Sequence, residues 1–123
     1  MNDGRKDFIT QCRRATESFF SRHKHQVLVQ YKRDSKNCKV GVVVAFKDAE
    51  GVVRIGMSKC HVQLEKFDRY IGLAKAIDNA YKGLAQNEIP NSLKTLVNIM
   101  VARATRYFKV QMMEGAWYEK SKS

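Results

Sequence analysis

The sequence predicts an α+β domain in which one helix precedes a three-stranded antiparallel sheet and two helices follow it. Three observations predict this order. Apolar residues recur at three- and four-residue steps in the first segment and in the last two segments, as on a helix that packs against a core. The middle of the chain is rich in β-branched residues, and short polar turns divide it. With 123 residues, of which 44% are apolar, the whole chain suits a single domain with one core.

The first helix is predicted from Asp3 to Arg22. Its apolar stripe is Phe8, Cys12, Ala15, Phe19 and Phe20. Arg13, Arg14 and Arg22 fall mostly outside that stripe, so this helix is expected to present a basic face to its surroundings.

The three strands follow directly. Their predicted bounds are Gln26–Lys32, Cys38–Phe46 and Val52–Ser58. Because both intervening turns are short, an antiparallel meander is the simplest topology. The middle strand is apolar on both of its faces, which indicates that both faces of the sheet are covered. Either helices on both sides or a second copy of the chain could provide the cover, and we expect a homo-oligomer.

The last two helices are separated by a proline. The periodicity predicts one helix from Phe67 to Ala85, and Pro90 cannot continue it. Asn91 or Ser92 is expected to cap the final helix. The residues 113–123 are mostly polar and are predicted to form a mobile tail.

The charge is strongly positive. Lys and Arg number 23 and Asp and Glu number 12, so the net charge is +11 and the pI is about 9.8. A domain of this charge generally meets an acidic partner, which could be nucleic acid, a nucleotide or an acidic protein surface, although the charge could also serve solubility alone.

The three cysteines form no closely spaced pair and their number is odd, which suits a reducing compartment. No apolar run approaches the roughly 20 residues that span a bilayer, and the N-terminus carries no apolar leader. We therefore expect a cytoplasmic protein that does not enter a membrane.

Catalytic and metal-binding patterns are weak. Cys60 and His61 are adjacent, and adjacent residues on a strand point to opposite faces, so they do not form a ready dyad. His23 and His25 lack the paired cysteines of a structural zinc site. The chain is predicted to be no enzyme and to carry neither metal nor cofactor.

A first candidate phosphate site lies on the third strand. If Ile55 and Met57 face the core, then Arg54 and Ser58 share the other face with a glycine that permits close approach. An arginine can form a two-pronged contact with phosphate and a serine can bond one of its oxygens. Arg54, Ser58 and Lys59 are therefore candidate ligand-binding residues, although the glycine could instead mark a bulge beside a solvated arginine.

A second candidate group begins the next helix. Phe67 and Tyr70 could stack on a base, and Arg69 could pair with a phosphate near the positive end of the helix. Phe67 could equally belong to the core.

A third group lies on the final helix. Arg103, Arg106 and Lys109 are three residues apart and so line one side. They could be a solvated face, or they could bind a ligand. If copies of the chain associate through this helix, their arginines would converge on a polyanion site.

Two stretches resemble known proteins. The first runs from Arg54 to His61 and on through Lys66 to Ala74, and the second joins Ile89–Lys94 to Arg103–Lys109. They are similar to small phage proteins and, within that group, to the anti-Thoeris family, which sequesters cyclic ADP-ribose signals made by bacterial immune enzymes.

The resemblance implies a sponge that works in the host cytoplasm, with an α+β protomer, a dimer or larger assembly, and pockets at protomer interfaces. One pocket would draw on the region between Arg54 and Arg69. Arg103 and Arg106 would be candidates for a second site that binds cyclic oligonucleotides.

Three functions therefore compete. The first is a sponge for a small phosphorylated nucleotide, which needs a few converging arginines and aromatic rings. The second is a DNA- or RNA-binding protein, which needs an extended basic surface. The third is an inhibitor of an acidic host protein such as a nuclease or polymerase, which could use Trp117 and Tyr118.

Overall fold

A computed structural model describes residues 2–23, 26–48, 50–59, 68–82 and 89–109. Its elements are α1 (Asn2–His23), β1 (Val27–Arg33), β2 (Lys39–Lys47), β3 (Val53–Lys59), α2 (Arg69–Lys82) and α3 (Asn91–Phe108). The predicted α+β class and the order of helices and strands are confirmed. Phe67, Cys60, His61, His25, the residues 83–85 and the predicted tail lie outside the described residues.

The sheet is the predicted antiparallel meander, in the order β1-β2-β3. Both hairpins close with the same kind of loop. The Oδ1 atoms of Asp34 and Asp48 each accept hydrogen bonds from the backbone N–H groups two and four residues later, at 2.9 Å. Three residues after each aspartate the backbone takes positive φ, at 67° for Asn37 and 83° for Gly51. Glycine and asparagine tolerate this conformation best, which is why these residues suit the two turns.

Helices of the same chain cover both faces of the sheet. On one face α3 packs on the odd-numbered positions of β2 and β3. That cluster contains Leu28, Val43, Ala45, Val53, Ile55, Met57, Ile89, Leu93, Val97, Met100, Ala104 and Phe108. On the other face α2 packs on the even-numbered positions, and α1 packs mainly on α2. The prediction that both faces are covered is confirmed, with helices as the cover.

The buried side of α1 differs from the predicted stripe. Cys12, Thr16 and Phe19 are buried, whereas Phe8 is 47% exposed and Ala15 is exposed. A turn of 3.6 residues places the buried three on one line, and that line faces α2. The hydroxyl of Thr16 has no hydrogen-bond partner among the described residues, so α1 buries a polar atom there.

The predicted cap of α3 is wrong. Pro90 occupies the N-cap position, and neither Asn91 nor Ser92 caps the helix with its side chain. The carbonyl of Pro90 accepts a 2.9 Å hydrogen bond from the backbone N–H of Leu93, which closes the first turn. The fixed φ of proline, −57° here, replaces the side-chain cap as the device that begins the helix.

Candidate anion-binding sites

The first predicted phosphate group lies beneath α2. A Cβ atom added to Gly56 would collide with the carbonyl oxygen of Ala76 and would stand 2.5 Å from the backbone nitrogen of Ala80. The backbone of α2 therefore rests directly on β3, and the glycine permits that approach. The close approach that the sequence predicted at this glycine is therefore made by the backbone of α2.

The hydroxyl of Ser58 serves the same contact. Its Oγ donates a 2.8 Å hydrogen bond to the carbonyl of Gly72 in the first turn of α2. Farther along that helix, Nδ2 of Asn79 donates to the carbonyl of Met57 at 2.8 Å. Nothing in the sequence points to Asn79, since an asparagine within a helical pattern gives no sign that its side chain contacts a strand.

Arg54 is engaged at the far end of the same interface. Its Nε donates a 2.7 Å hydrogen bond to Oδ2 of Asp48, and its guanidinium carbon lies 5.6 Å from the ring centre of Tyr81. Burial alone would raise the pKa of Asp48. The hydrogen bonds from Arg54 and from two backbone N–H groups outweigh that effect and hold the pKa below its ordinary value.

The remaining predicted residues of this region lie at the opposite end of α2. Lys59 is exposed at the end of β3, and Arg69 is exposed as the first residue of the helix. Nη2 of Arg69 donates a 2.7 Å hydrogen bond to the hydroxyl of Tyr70, which raises the pKa of the guanidinium. Tyr81, beside Arg54, is twelve residues further along the helix, or about 18 Å. The structure therefore does not bring Arg54 and Arg69 together.

Arg103 and Arg106 do share a site. With Leu28 and Tyr107 they line an open cleft of about 270 Å³ between the end of α3 and strand β1. Nη1 of Arg103 donates a 2.6 Å hydrogen bond to Oε1 of Gln30, so this half-buried guanidinium is held in place. Arg106 is exposed and points its charge to the same opening.

The helical spacing explains this convergence. Positions 103, 106 and 107 lie on one side of α3 because three- and four-residue steps share a face. Leu28 and Gln30 lie on the α3 side of β1, since alternate strand residues share a face. The sequence alone does not point to Gln30 or Leu28, because nothing local shows which strand a helix crosses.

The charge of the cleft is not neutralised within the described part of the chain. There the ion pairs are Arg13–Glu17, Arg54–Asp48 and Lys82–Asp78, and none involves Arg103 or Arg106. Lys109 follows α3 directly, is exposed, and takes a left-handed backbone conformation. The cleft therefore offers guanidinium donors, an apolar floor and a phenol ring, a combination that suits a phosphate attached to a flat organic group.

No three His, Cys, Asp or Glu side chains of the described ranges are grouped so that they could hold a metal ion. Burial raises the pKa of the Cys12 thiol, which disfavours the reactive thiolate. None of the described helices has the length and apolar character needed to cross a bilayer.

Comparison of the chain with protein-family models, curated proteins and solved structures finds no match.

Proposed function

We propose that this chain is a non-enzymatic binding protein that sequesters a small phosphorylated nucleotide in the cleft between α3 and β1. The observation that carries the proposal is the pair Arg103 and Arg106, which open into one cleft with no carboxylate of the described residues paired to either. A buried or half-buried guanidinium without a counterion is well suited to binding an anion.

Each lining residue has a distinct part in this proposal. Arg103 is pre-positioned by Gln30 and would hold one phosphate oxygen without a large loss of side-chain freedom. Arg106 would close onto the phosphate from the exposed side. Tyr107 would contact the base or ribose with its ring, and Leu28 would form the apolar floor. The cleft of about 270 Å³ is open, so it can hold the phosphate and part of the base or ribose of a nucleotide.

The resemblance to the anti-Thoeris family makes cyclic ADP-ribose isomers and cyclic oligonucleotides the first ligands to try, and it makes the binding role one of anti-defence in a phage-infected cell. Self-association, which would bring several α3 helices together, remains a separate prediction.

Titration calorimetry tests the proposal. The purified chain is titrated with cyclic ADP-ribose isomers, cyclic dinucleotides, nucleoside monophosphates and inorganic phosphate, at low and at high salt. One nucleotide is expected to bind at both salt concentrations. At about 100 times its dissociation constant it should stabilise the fold by about 2.7 kcal/mol.

Two cleft variants locate the site. Arg106→Lys keeps the positive charge near the end of α3 but loses the two-pronged contact, so affinity should fall about tenfold at unchanged stability. Arg103→Ala should lower the affinity by at least as much. Arg54→Ala is the control, because the structure pairs this arginine with Asp48, and it should lose stability while keeping affinity. Equal affinity of the two cleft variants and the wild type would refute the assignment.

A further inference from the structure

A second group of cations lies on the opposite face of the sheet from the cleft, interleaved with two tyrosine rings. Its members come from α1, β1, β2 and α2. They are Arg13, Tyr31, Lys39, Arg69 and Tyr70, and we call them the tyrosine–cation surface.

The cations lie on the rings. Nζ of Lys39 is 4.3 Å from the ring centre of Tyr31. The guanidinium carbon of Arg69 is 4.7 Å from the ring centre of Tyr70, and that of Arg13 is 5.9 Å from the same ring. Such contacts between cations and aromatic faces hold flexible charged side chains near one position.

The two ring groups are neighbours. Tyr31 pairs with Val42, which pairs with Ser58 on the next strand, so these three form one row across the sheet. Ser58 in turn bonds Gly72 in the first turn of α2, two residues from Tyr70. Tyr31 is half-buried on the same face. Burial raises the pKa of its phenol, and the nearby positive charge of Arg69 partly opposes that rise.

The charge of this surface is largely available. Within the described ranges neither Lys39 nor Arg69 forms an ion pair, and the partner of Arg13 is the exposed Glu17 at 3.3 Å. The nearby carboxylate of Asp68 accepts hydrogen bonds from the backbone N–H groups of Tyr70 and Ile71, at 2.9 and 3.1 Å, and so caps α2.

More exposed cations stand at the same end of the sheet, where β1 and β3 end and β2 begins. They are Arg33, Lys36 and Lys59. The positive region therefore extends beyond the five residues, over a surface longer than one small anion needs.

From this arrangement we propose that the tyrosine–cation surface binds single-stranded nucleic acid. A single strand presents phosphates in a row and leaves its bases free to stack, whereas a duplex hides the base faces. On binding, the cations of Lys39, Arg69 and Arg13 move from the rings to phosphates, and the ring faces of Tyr31 and Tyr70 that they leave receive the bases. The proposal does not rest on the cleft, because the two surfaces lie on opposite faces of the sheet.

Fluorescence anisotropy with a labelled single-stranded oligonucleotide of mixed sequence tests the proposal, with the matching duplex and poly-glutamate as competitors. The single strand should bind, and poly-glutamate should displace it less than the duplex does. The double variant Lys39→Ala, Arg69→Ala should lose about tenfold in affinity. It should also reduce the slope of log K against log salt by about 1.4, since each phosphate contact to a single strand contributes about 0.7.

A charge-matched control distinguishes binding at this surface from a general effect of the net charge. Arg22→Ala with Lys82→Ala removes two exposed cations from the last turns of α1 and α2, and it should leave most of the affinity in place. A loss as large as that of the first double variant would overturn the proposal, as would equal affinity for duplex and single strand.

Tyr70 tests the stacking. Tyr70→Phe keeps the ring and should keep binding, whereas Tyr70→Leu should lose about tenfold if a base stacks there. Unchanged binding by a folded Tyr70→Leu chain, checked by circular dichroism, would refute stacking. Arg106→Lys should bind the oligonucleotide like the wild type, so this result and the result at the cleft are independent.

Discussion

Arg54 and Arg106 are the same residue type in the same basic chain, and the structure gives them opposite surroundings. Arg54 lies between a strand and a helix, bonded to a carboxylate whose side chain is only 7% exposed. Arg106 lies at an open cleft beside a second arginine, with no ion pair among the described residues.

The difference teaches that a charge is available to a ligand when the fold leaves it without an oppositely charged partner. The interface of β3 with α2 uses Arg54, Gly56 and Ser58 to hold itself together. In the cleft, one hydrogen bond from Arg103 to Gln30 holds the guanidinium at the opening. Variants of the interface should therefore change stability and leave ligand binding unchanged.

The largest effect is expected at Gly56. Gly56→Ala places a methyl group against the backbone of Ala76 and Ala80, so α2 must move away from β3, at a cost of about 3 kcal/mol in the free energy of unfolding. Urea denaturation followed by circular dichroism measures it. The matched control is Gly4→Ala, where nothing lies within 4 Å of the added atom, and it should be neutral or stabilising by up to about 1 kcal/mol. Equal stability of the two variants would contradict the close approach of α2.

Asp48 should give the next effect. Asp48→Asn keeps an oxygen for the turn but removes the charge that faces Arg54, and it should destabilise the fold by about 2 kcal/mol. Because the pKa of Asp48 is lower in the folded chain than its ordinary 3.8, its contribution is present above that value. It is lost as the pH falls through the folded-state pKa.

Thermal melts between pH 7 and pH 2 show this dependence. The wild type should lose more stability below about pH 4 than Asp48→Asn does. If both chains lost stability in parallel, the pair with Arg54 would not be what lowers the pKa of Asp48.

The smallest effects compare two hydroxyls, the half-buried and hydrogen-bonded one of Ser58 and the buried one of Thr16. Ser58→Ala removes the donor to Gly72 and should lower stability by about 1 kcal/mol. Thr16→Val removes a buried hydroxyl that has no partner among the described residues, and it should raise stability by about 1 kcal/mol. Calorimetric melting temperatures that shift in the same direction would show that one of these hydroxyls is misassigned.

Much of the fold follows from local pattern. Helical and strand periods are read over short windows, and for that reason the order of the elements and the meander were predictable. The partners of individual residues depend on where distant segments meet. The glycine at position 56 indicated close approach but could not say that α2 would be the approaching group.

The candidate sites divide in the same way. The spacing of Arg103 and Arg106 was enough to predict that they lie on one side of α3. The meeting of Lys39 with Tyr31 and of Arg13 with Tyr70 joins positions on different elements, which no local pattern contains. The predicted cap of α3 was wrong for a related reason, since a proline occupies the N-cap position where a capping side chain was expected.

The twin loops after Asp34 and Asp48 have a consequence for how quickly the chain folds. Each loop closes a hairpin through hydrogen bonds that span four residues, so both strand pairings need only nearby segments to meet. Local contacts of this kind form early, because little chain entropy is lost in closing a short loop. Helix α1 must instead wait for α2, whose first residue follows its last by 46 positions. We expect the meander to form first and α1 to dock last.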